Sequence, residues 1–556
     1  MIRMILLAYV VGAFLILMGI LVPSQSMIEL LRSWPDDPKL QHQLLAGAAL
    51  FRGGLIFLGL IGVLLIRIPI LRQTKPKEGP RNGDGGRYTF LLLTILVISF
   101  FVRMYKIDQG LWLDEIAMCV KYLRLTIGEV LTTYNSENQH HLFTLMAHIC
   151  RSLLGETALA LRLPAVFFGV GSLAALYLLA IEVTNKKESI LATALLAFSY
   201  YHVWFSQNAR GYTGLLFWTL LTSRFLLRAL RTGTPREWLW YAVTVAPGIF
   251  TQFTLIFVVM GHFLIYLKTC FDLRKTQTRL LLTGPGIGFG LAGVLTFQLF
   301  ALTLPQFFSI IGMKGTVEAW NSPLWTLLEF VRGMRMNFSG TSVPIVVLLL
   351  FITGLWSYLR TSPVLISLLI LPPVIGSTVV LLMKHPLWPR FFFFTFGFGA
   401  LVVIRGAYIW GRTASTFLKV NPARSEHIGL AGCIGMILVS ALTIPRAYLP
   451  KQDFVGVKNF IEQHSTSGDS VVTIGRAAYP YEYFYKTGWP EIKTIEALDE
   501  IRSRSKRTWL IYMIPEDVRV VYPELWNSIE RDFKTITKFP SPLADGTIYV
   551  SRADSS

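Results

Sequence analysis

The stretch TALALRLPAVFFGVGSLAALYLLAIE, residues 157–182, decides the fold class of this chain. It carries only two charged side chains, Arg162 near its start and Glu182 at its end. A helix of this length crosses a hydrocarbon core of about 30 Å. Because a backbone in lipid must satisfy its own hydrogen bonds, the stretch is predicted to be a membrane-spanning helix.

Apolar runs of similar length recur on both sides of this stretch. Of the 556 residues, 53% are hydrophobic and only 15% are charged, with a mean hydropathy of +0.52, whereas soluble domains average about 25% charged residues. The region 238–268 fits either two short helices or one kinked helix, and the second choice would reverse the orientation of every later span. We predict a polytopic α-helical membrane protein with about thirteen spans, near 5–23, 43–66, 88–104, 157–182, 189–205, 211–231, 238–252, 253–268, 280–302, 341–360, 363–383, 391–410 and 427–446.

The basic residues indicate the orientation. The formal net charge is +19, and its basic side chains cluster in short loops between spans, as the positive-inside rule describes. No RNA-binding or zinc-finger motif is present, so nucleic acid is not an expected partner. The linker 67–87 is a basic, cytoplasmic loop, whereas the longer loops 105–156 and 303–340 are less basic and are predicted to be extracytoplasmic. The N-terminus is then cytoplasmic and the C-terminal tail extracytoplasmic.

Three regions follow from this pattern. Residues 1–87 are predicted to form two N-terminal spans and the linker, and residues 88–449 a transmembrane domain. Residues 450–556 are richer in charge and poorer in long apolar runs. Their alternation predicts a small extracytoplasmic α/β domain, with a helix at 454–464 and strands at 469–474, 508–514 and 546–550. Its aromatic run 479–485 fits either a core element or a surface for a sugar or polymer acceptor.

Candidate site residues concentrate in the loops predicted to lie outside. Asp114 and Glu115 follow a span directly, and carboxylates near lipid are usually paired or functional, although a solvated acid pair is the plainer interpretation. His140 lies in the same loop, followed by a second histidine. Arg162 enters the next span and needs the acidic pair, a phosphate or the lipid headgroups as a partner. Two more arginines, Arg210 and Arg390, lie in later turns on the same predicted side, where an aromatic belt with headgroup contacts is the alternative.

Four motifs, in this order, resemble one enzyme family. They are LWLDE (111–115), NQH (138–140), ALRLP (160–164) and SQNARGY (206–212). They are similar to bacterial members of the GT-C glycosyltransferase superfamily, particularly the protein O-mannosyltransferase-like family 39 and the lipid A aminoarabinose transferases. The resemblance covers roughly residues 88–410.

The resemblance implies an inverting enzyme that transfers a sugar from a polyprenyl-phosphate donor to an extracytoplasmic protein, lipid or polysaccharide. It implies that Asp114 is the general base and Glu115 its neighbour. Arg162 would hold the acid pair or the donor phosphate, and Arg210 and Arg390 would lie near that phosphate. His140 stands where the family often has a His-Pro-Pro or Lys-Pro-Pro turn, and the second histidine here departs from that pattern.

These residue types suit the reaction. Displacing a lipid phosphate requires a base for the acceptor proton and cations where charge develops on the leaving group. The expected location is the bacterial cytoplasmic (inner) membrane. A divalent metal is compatible with the acidic pair, although one Asp-Glu pair is not a metal cage. A transporter or flippase of lipid-linked saccharides is the alternative, and it would favour polar, broken helices at mid-membrane.

Overall fold

A computed structural model describes residues 2–67, 85–136, 139–272, 284–310, 322–326, 328, 342–417, 422–542 and 546–554. Most of the linker 67–87, much of the loop 303–340 and Asn138 of the NQH motif lie outside these residues. The described chain consists of a helical region followed by a small mixed domain.

The helical region begins with α1 and continues to α19. Its helices are α1 (Ile2–Leu21), α2 (Ser24–Leu31), α3 (Pro38–Arg67), α4 (Gly85–Met104), α5 (Leu113–Met118), α6 (Ile127–Thr132), α7 (His141–Leu154), α8 (Ala158–Val183), α9 (Lys186–Ala197), α10 (Tyr200–Ser206), α11 (Tyr212–Thr232), α12 (Pro235–Thr251), α13 (Leu255–Asp272), α14 (Leu291–Phe300), α15 (Leu304–Ile310), α16 (Ser342–Thr361), α17 (Pro363–Leu382), α18 (Phe396–Phe417) and α19 (Pro422–Ala441). A π-helical turn, Gly284–Gly290, precedes α14, and 3₁₀ turns occupy Pro389–Thr395 and Ile444–Tyr448.

Within the described residues, eight helices are long and apolar enough to cross a membrane, or ten if each of two bent pairs forms one span. This makes the chain a multi-pass membrane protein, but with fewer such helices than the thirteen predicted. Two predicted spans correspond to shorter helices. The run 189–205 is divided at Ser199 into α9 and α10, and α12 has 17 residues, which span only about 26 Å. The region 238–268 forms two helices, since α12 ends at Thr251 and α13 begins at Leu255.

The N-terminal helices pack against the rest of the helical region. A Cβ atom at Gly12 of α1 would lie 3.0 Å from the carbonyl oxygen of Gly59 in α3, so the two helices approach closely. Arg52 of α3 donates to the carbonyls of Gly19 and Ile20 at the C-terminal end of α1. Close packing of α3 continues at Gly47, against the turn between α14 and α15.

The C-terminal domain is built on a four-stranded sheet of order β1-β2-β4-β3. β1 pairs with β2 in parallel, whereas β4 pairs antiparallel with both β2 and β3. β3 was not predicted, because its side chains are mostly exposed and its polar alternation is weak. The elements are α20 (Phe454–His464), β1 (Asp469–Thr473), α21 (Ile495–Ser503), β2 (Arg507–Met513), α22 (Pro515–Val521), α23 (Pro523–Asp532), β3 (Lys534–Phe539) and β4 (Ile548–Asp554).

One hydrophobic cluster joins this domain to the loop between α4 and α8. Ile116, Tyr122 and Phe143 of the loop region pack in one cluster with Tyr481 and Trp509 of the domain. Tyr481, in the middle of the aromatic run 479–485, is fully buried and donates to the carbonyl of Phe454. The domain therefore shares a core with the segment that carries the acidic pair.

The predicted orientation can be tested with reporter fusions after residues 80 and 450. Because the basic loops set the cytoplasmic side, we expect a fusion after residue 80 to report the cytoplasm and one after residue 450 the opposite side. Activity of paired cytoplasmic and extracytoplasmic reporters at each position provides the measurement. Two cytoplasmic results would contradict the orientation and an extracytoplasmic site.

Candidate active site

Asp114 and Glu115 lie in the first turn of α5, which follows the loop after α4. Acidic side chains are favoured there because a helix N-terminus carries partial positive charge. Adjacent side chains on a helix diverge by about 100°, so the two carboxylates face different neighbours. Glu115 is fully buried, whereas the Asp114 side chain is 16% exposed.

Glu115 is held by four donors. Arg162 Nε donates to Oε1 at 2.8 Å and Arg162 Nη2 to Oε2 at 2.6 Å. The amides of Ala209 and Trp112 donate to the same two oxygens, at 2.7 and 3.2 Å. Burial alone would raise the Glu115 pKa, but the charges of Arg162 and Lys451 and the hydrogen bonds hold that pKa below its usual value. Glu115 is therefore an ionised carboxylate whose two oxygens are both engaged.

Arg162 uses its remaining N–H groups on the loop before α5. Nη1 donates to the carbonyls of Ile107 and Gln109 at 2.7 and 2.8 Å, and Nη2 also donates to the carbonyl of Gly110 at 3.0 Å. With the two bonds to Glu115, all five guanidinium N–H groups have an acceptor within the chain. Of the three predicted partners of Arg162, the acidic pair is the one in contact with it, through Glu115.

The SQNARGY motif contacts Glu115 and the loop that precedes it. Gln207 Nε2 donates to the carbonyls of Arg103 and Tyr105 at 2.9 and 2.6 Å. Asn208 Oδ1 accepts from the Trp112 indole at 3.1 Å. Together with the amide of Ala209 on Glu115, these bonds tie the motif to the loop that precedes the acidic pair.

Asp114 faces a cation. Arg390 Nη1 lies 3.6 Å from Asp114 Oδ2. Among the described residues, this buried Oδ2 accepts no hydrogen bond, and Arg390 Nε likewise donates none. The Arg390 guanidinium lies 4.7 Å from the Trp388 ring. Buried polar atoms normally have a partner, so an unsatisfied carboxylate oxygen beside an unsatisfied guanidinium N–H is the arrangement expected of a binding site.

His140 and Arg210, two further candidate residues, contact each other. The amide of Gly211 donates to His140 Nδ1 at 2.8 Å, which leaves the ring proton of a neutral histidine on Nε2. Arg210 Nη2 lies 3.2 Å from that Nε2. Burial, and then the charges of Arg210 and Arg390, lower the His140 pKa well below its ordinary value. His140 is therefore neutral, and its Nε2–H group lies beside an N–H group of Arg210 Nη2.

His141 belongs to the core. Its ring stacks on Tyr134 and Phe250, with centroids 5.7 and 4.9 Å away, and burial lowers its pKa to about 3. Among the described residues, no group of three or more His, Cys, Asp or Glu side chains is arranged to hold a metal ion.

Lys451 and Gln452 are site neighbours that were not predicted. Lys451 donates through Nζ to the carbonyl of Gln207 and lies 4.8 Å from the Trp204 ring. Gln452 Oε1 accepts from the amide of Leu113 at 2.8 Å. No local pattern marks them, since they come from the far end of the sequence.

Lys451 should make stability depend on pH. Burial lowers its pKa from 10.5 to about 7, although Glu115 opposes the shift. Between these two values the unfolded chain holds a proton that the folded chain has released, so stability should rise with pH, by at most about 1.4 kcal/mol per unit. Thermal melting at about pH 6 and about pH 9 should show this rise in the wild type and a smaller one in Lys451→Met. Equal pH dependence in both proteins would contradict an unusual pKa for Lys451.

Part of the chain is similar to a known protein family. Residues 141–298 match the family model described as dolichyl-phosphate-mannose-protein mannosyltransferase. A comparison with curated proteins finds no match. The oligosaccharyltransferase of Archaeoglobus fulgidus, solved in complex with zinc and sulfate, has a similar fold, with a TM-score of 0.50 and 12% identity over 82% of this chain and 72% of that chain.

A second structure was also found, ArnT from Cupriavidus metallidurans bound to undecaprenyl phosphate. It matches with a TM-score of 0.41 and 10% identity, over 84% of this chain and 98% of that chain. The helical region is that of a multi-pass membrane protein, and residues 141–298 of it are similar to a family of mannosyltransferases. The family match and the similar fold of the archaeal oligosaccharyltransferase are consistent with the GT-C superfamily of glycosyltransferases.

Proposed function

We propose that this protein transfers a sugar from a polyprenyl-phosphate donor to a hydroxyl-bearing acceptor on the extracytoplasmic face of a bacterial cytoplasmic membrane. The proposal includes the predicted orientation, with about thirteen spans, a cytoplasmic N-terminus and an extracytoplasmic C-terminal domain. The family matched by residues 141–298 is named for a dolichyl-phosphate-linked sugar, which is a donor of this class.

The observation that carries the proposal is the contrast between two adjacent carboxylates. Glu115 accepts four hydrogen bonds from the chain and is buried. Asp114 Oδ2 accepts none within the described residues and lies beside Arg390. A general base needs a free lone pair within hydrogen-bond reach of the proton that it takes. Only Asp114 of the pair meets this requirement.

The reaction is a single displacement. The acceptor oxygen attacks the anomeric carbon while its proton passes to Asp114 Oδ2. The bond between the anomeric carbon and the phosphate oxygen breaks, and its electron pair leaves with the polyprenyl phosphate. Because one displacement reverses the configuration at carbon, the product is the inverted glycoside.

The leaving phosphate is assigned to Arg390, Arg210 and His140. Two N–H donors meet at His140 Nε2 and Arg210 Nη2, and an oxygen placed between them would accept from both. Burial, and then the charges of Arg210 and Arg390, lower the pKa of His140. Preorganised donors of this kind stabilise charge that develops in a transition state. Arg162 is assigned to positioning Glu115, because its N–H groups are already used.

The experiment is a transfer assay with native membranes as acceptor. A panel of labelled polyprenyl-phosphate sugars is supplied to membranes containing either the wild type or Asp114→Asn. With the wild type, we expect the labelled sugar of at least one donor to appear in an acceptor. With Asp114→Asn, we expect no such transfer. Movement of intact donors across the membrane without loss of the sugar would instead support the transporter or flippase.

A further inference from the structure

The chain that leads into the C-terminal domain touches the catalytic loop itself. Lys451 and Gln452 follow the 3₁₀ turn Ile444–Tyr448 and are 7% and 6% exposed. Lys451 bonds to the carbonyl of Gln207, in the segment that supplies one donor to Glu115. Gln452 bonds to the amide of Leu113, on the segment that carries Asp114. These two residues therefore connect the segment around Gln207 with the segment that carries Asp114.

The Leu113 amide is a group that needs such a partner. It is the first residue of α5, and the first N–H groups of a helix have no acceptor within the helix. The preceding amide, of Trp112, is taken by Glu115. Gln452 takes the next one at 2.8 Å, directly before Asp114. The backbone that sets the direction of Asp114 is thus fixed by an oxygen from a residue 339 positions away.

The connecting segment is in turn held by the C-terminal domain. Ser541, which follows β3, donates through Oγ to the carbonyl of Lys451. Asp453 caps α20 by accepting from the amide of Gly456 at 2.7 Å. Val455 of α20 packs against the loop before α5, where a Cβ added at Gly110 would lie 3.2 Å from it. The position of Gln452 therefore depends on the folded domain.

We propose that the C-terminal domain completes the catalytic loop, with Gln452 as a positioning residue for Asp114. The inference rests on the proposed transferase activity. A base displaced by about 1 Å can lose about 100-fold in rate, so an anchor one residue away has kinetic consequences. The domain then acts on the chemical step itself and is not a separable acceptor-binding module.

The test uses the full-length purified protein and three variants. Gln452→Met keeps the size of the side chain but removes the acceptor oxygen, and we expect single-turnover transfer about tenfold slower, the rate equivalent of one neutral hydrogen bond. Binding of the polyprenyl-phosphate donor should be unchanged, because the proposed phosphate contacts are elsewhere. Gln452→Glu restores an acceptor oxygen and should recover most of the rate. Gln463→Met, on an exposed position of α20, is the matched control.

Each outcome decides the inference. A slow Gln452→Met enzyme with normal donor binding, a normal melting temperature and rescue by glutamate supports positioning. A wild-type rate overturns it. A rate loss that parallels a loss of donor binding or a lower melting temperature also overturns it, because a purely structural role would produce that pattern. If the wild type itself transfers no sugar from any donor, the proposed function has failed instead.

Discussion

Replacing Arg162 with alanine is expected to abolish sugar transfer and to destabilise the protein. The change leaves the Glu115 carboxylate buried without its counter-charge, and breaking a buried ion pair from one side costs about 3–5 kcal/mol. It also removes the donors to the carbonyls of Ile107, Gln109 and Gly110. The loop that leads into α5 would lose its main anchor.

The measurement is folded yield and melting temperature in detergent, together with transfer rate. Arg519→Ala, which removes a half-exposed arginine from the C-terminal domain, serves as control. Arg162→Lys should rescue only partly, because an ammonium cannot reproduce a two-pronged contact with Glu115. Full activity of the lysine variant would mean that simple charge suffices at this position.

A double variant distinguishes the cost of leaving Glu115 unpaired from the other effects of losing the Arg162 side chain. The double variant Arg162→Ala, Glu115→Ala removes both charges, and removing both partners is less costly than leaving one buried. We expect its melting temperature to lie above that of Arg162→Ala. A double variant that is less stable than Arg162→Ala would show that Glu115 is not the group left unpaired.

Asp114→Asn is expected to slow transfer by about 10²–10⁴-fold, the usual effect of removing a general base. Asparagine keeps the shape of the side chain but cannot take a proton at neutral pH. Because the proposed phosphate contacts are made by other residues, binding of the lipid donor should be nearly intact and the loss should fall on the chemical step. Single-turnover transfer and donor binding, measured on the same purified variant, check both parts.

Glu115→Gln is the comparison for this prediction. It should weaken the positioning of α5, because the amide NH₂ of glutamine would face N–H groups that donate to Glu115 in the wild type. The rate loss should be smaller than that of Asp114→Asn. If Glu115→Gln is inactive while Asp114→Asn transfers at the wild-type rate, the two assignments are reversed. If both are fully active, this loop is not the catalytic site.

Local sequence patterns were sufficient for much of the helical region. The stretch 157–182 corresponds to α8, because length and apolarity alone determine a spanning helix. They could not show that Ser199 would divide a predicted span into α9 and α10, since a short apolar run is compatible with either result. β3 was missed because an exposed edge strand has no hydrophobic alternation to detect.

The sequence could predict which residues form the candidate site, but not which of them contact one another. All six candidate residues are described, and they form three contacting pairs, Glu115 with Arg162, Asp114 with Arg390, and Arg210 with His140. Periodicity could not assign partners to two adjacent acids, because partners depend on contacts far apart in sequence. Gln452 illustrates the limit, since its contact with Leu113 joins residues that are 339 positions apart in the sequence.

The proposed transfer requires this protein to break the bond between a sugar and a polyprenyl phosphate. The most direct measurement follows a doubly labelled donor, in the sugar and in the lipid, with purified protein in liposomes and an added acceptor fraction. The wild type is expected to separate the two labels, whereas Asp114→Asn, with the donor still bound, is expected to leave them joined. Labels that stay together while the lipid changes leaflet, or equal separation by both proteins, would contradict it.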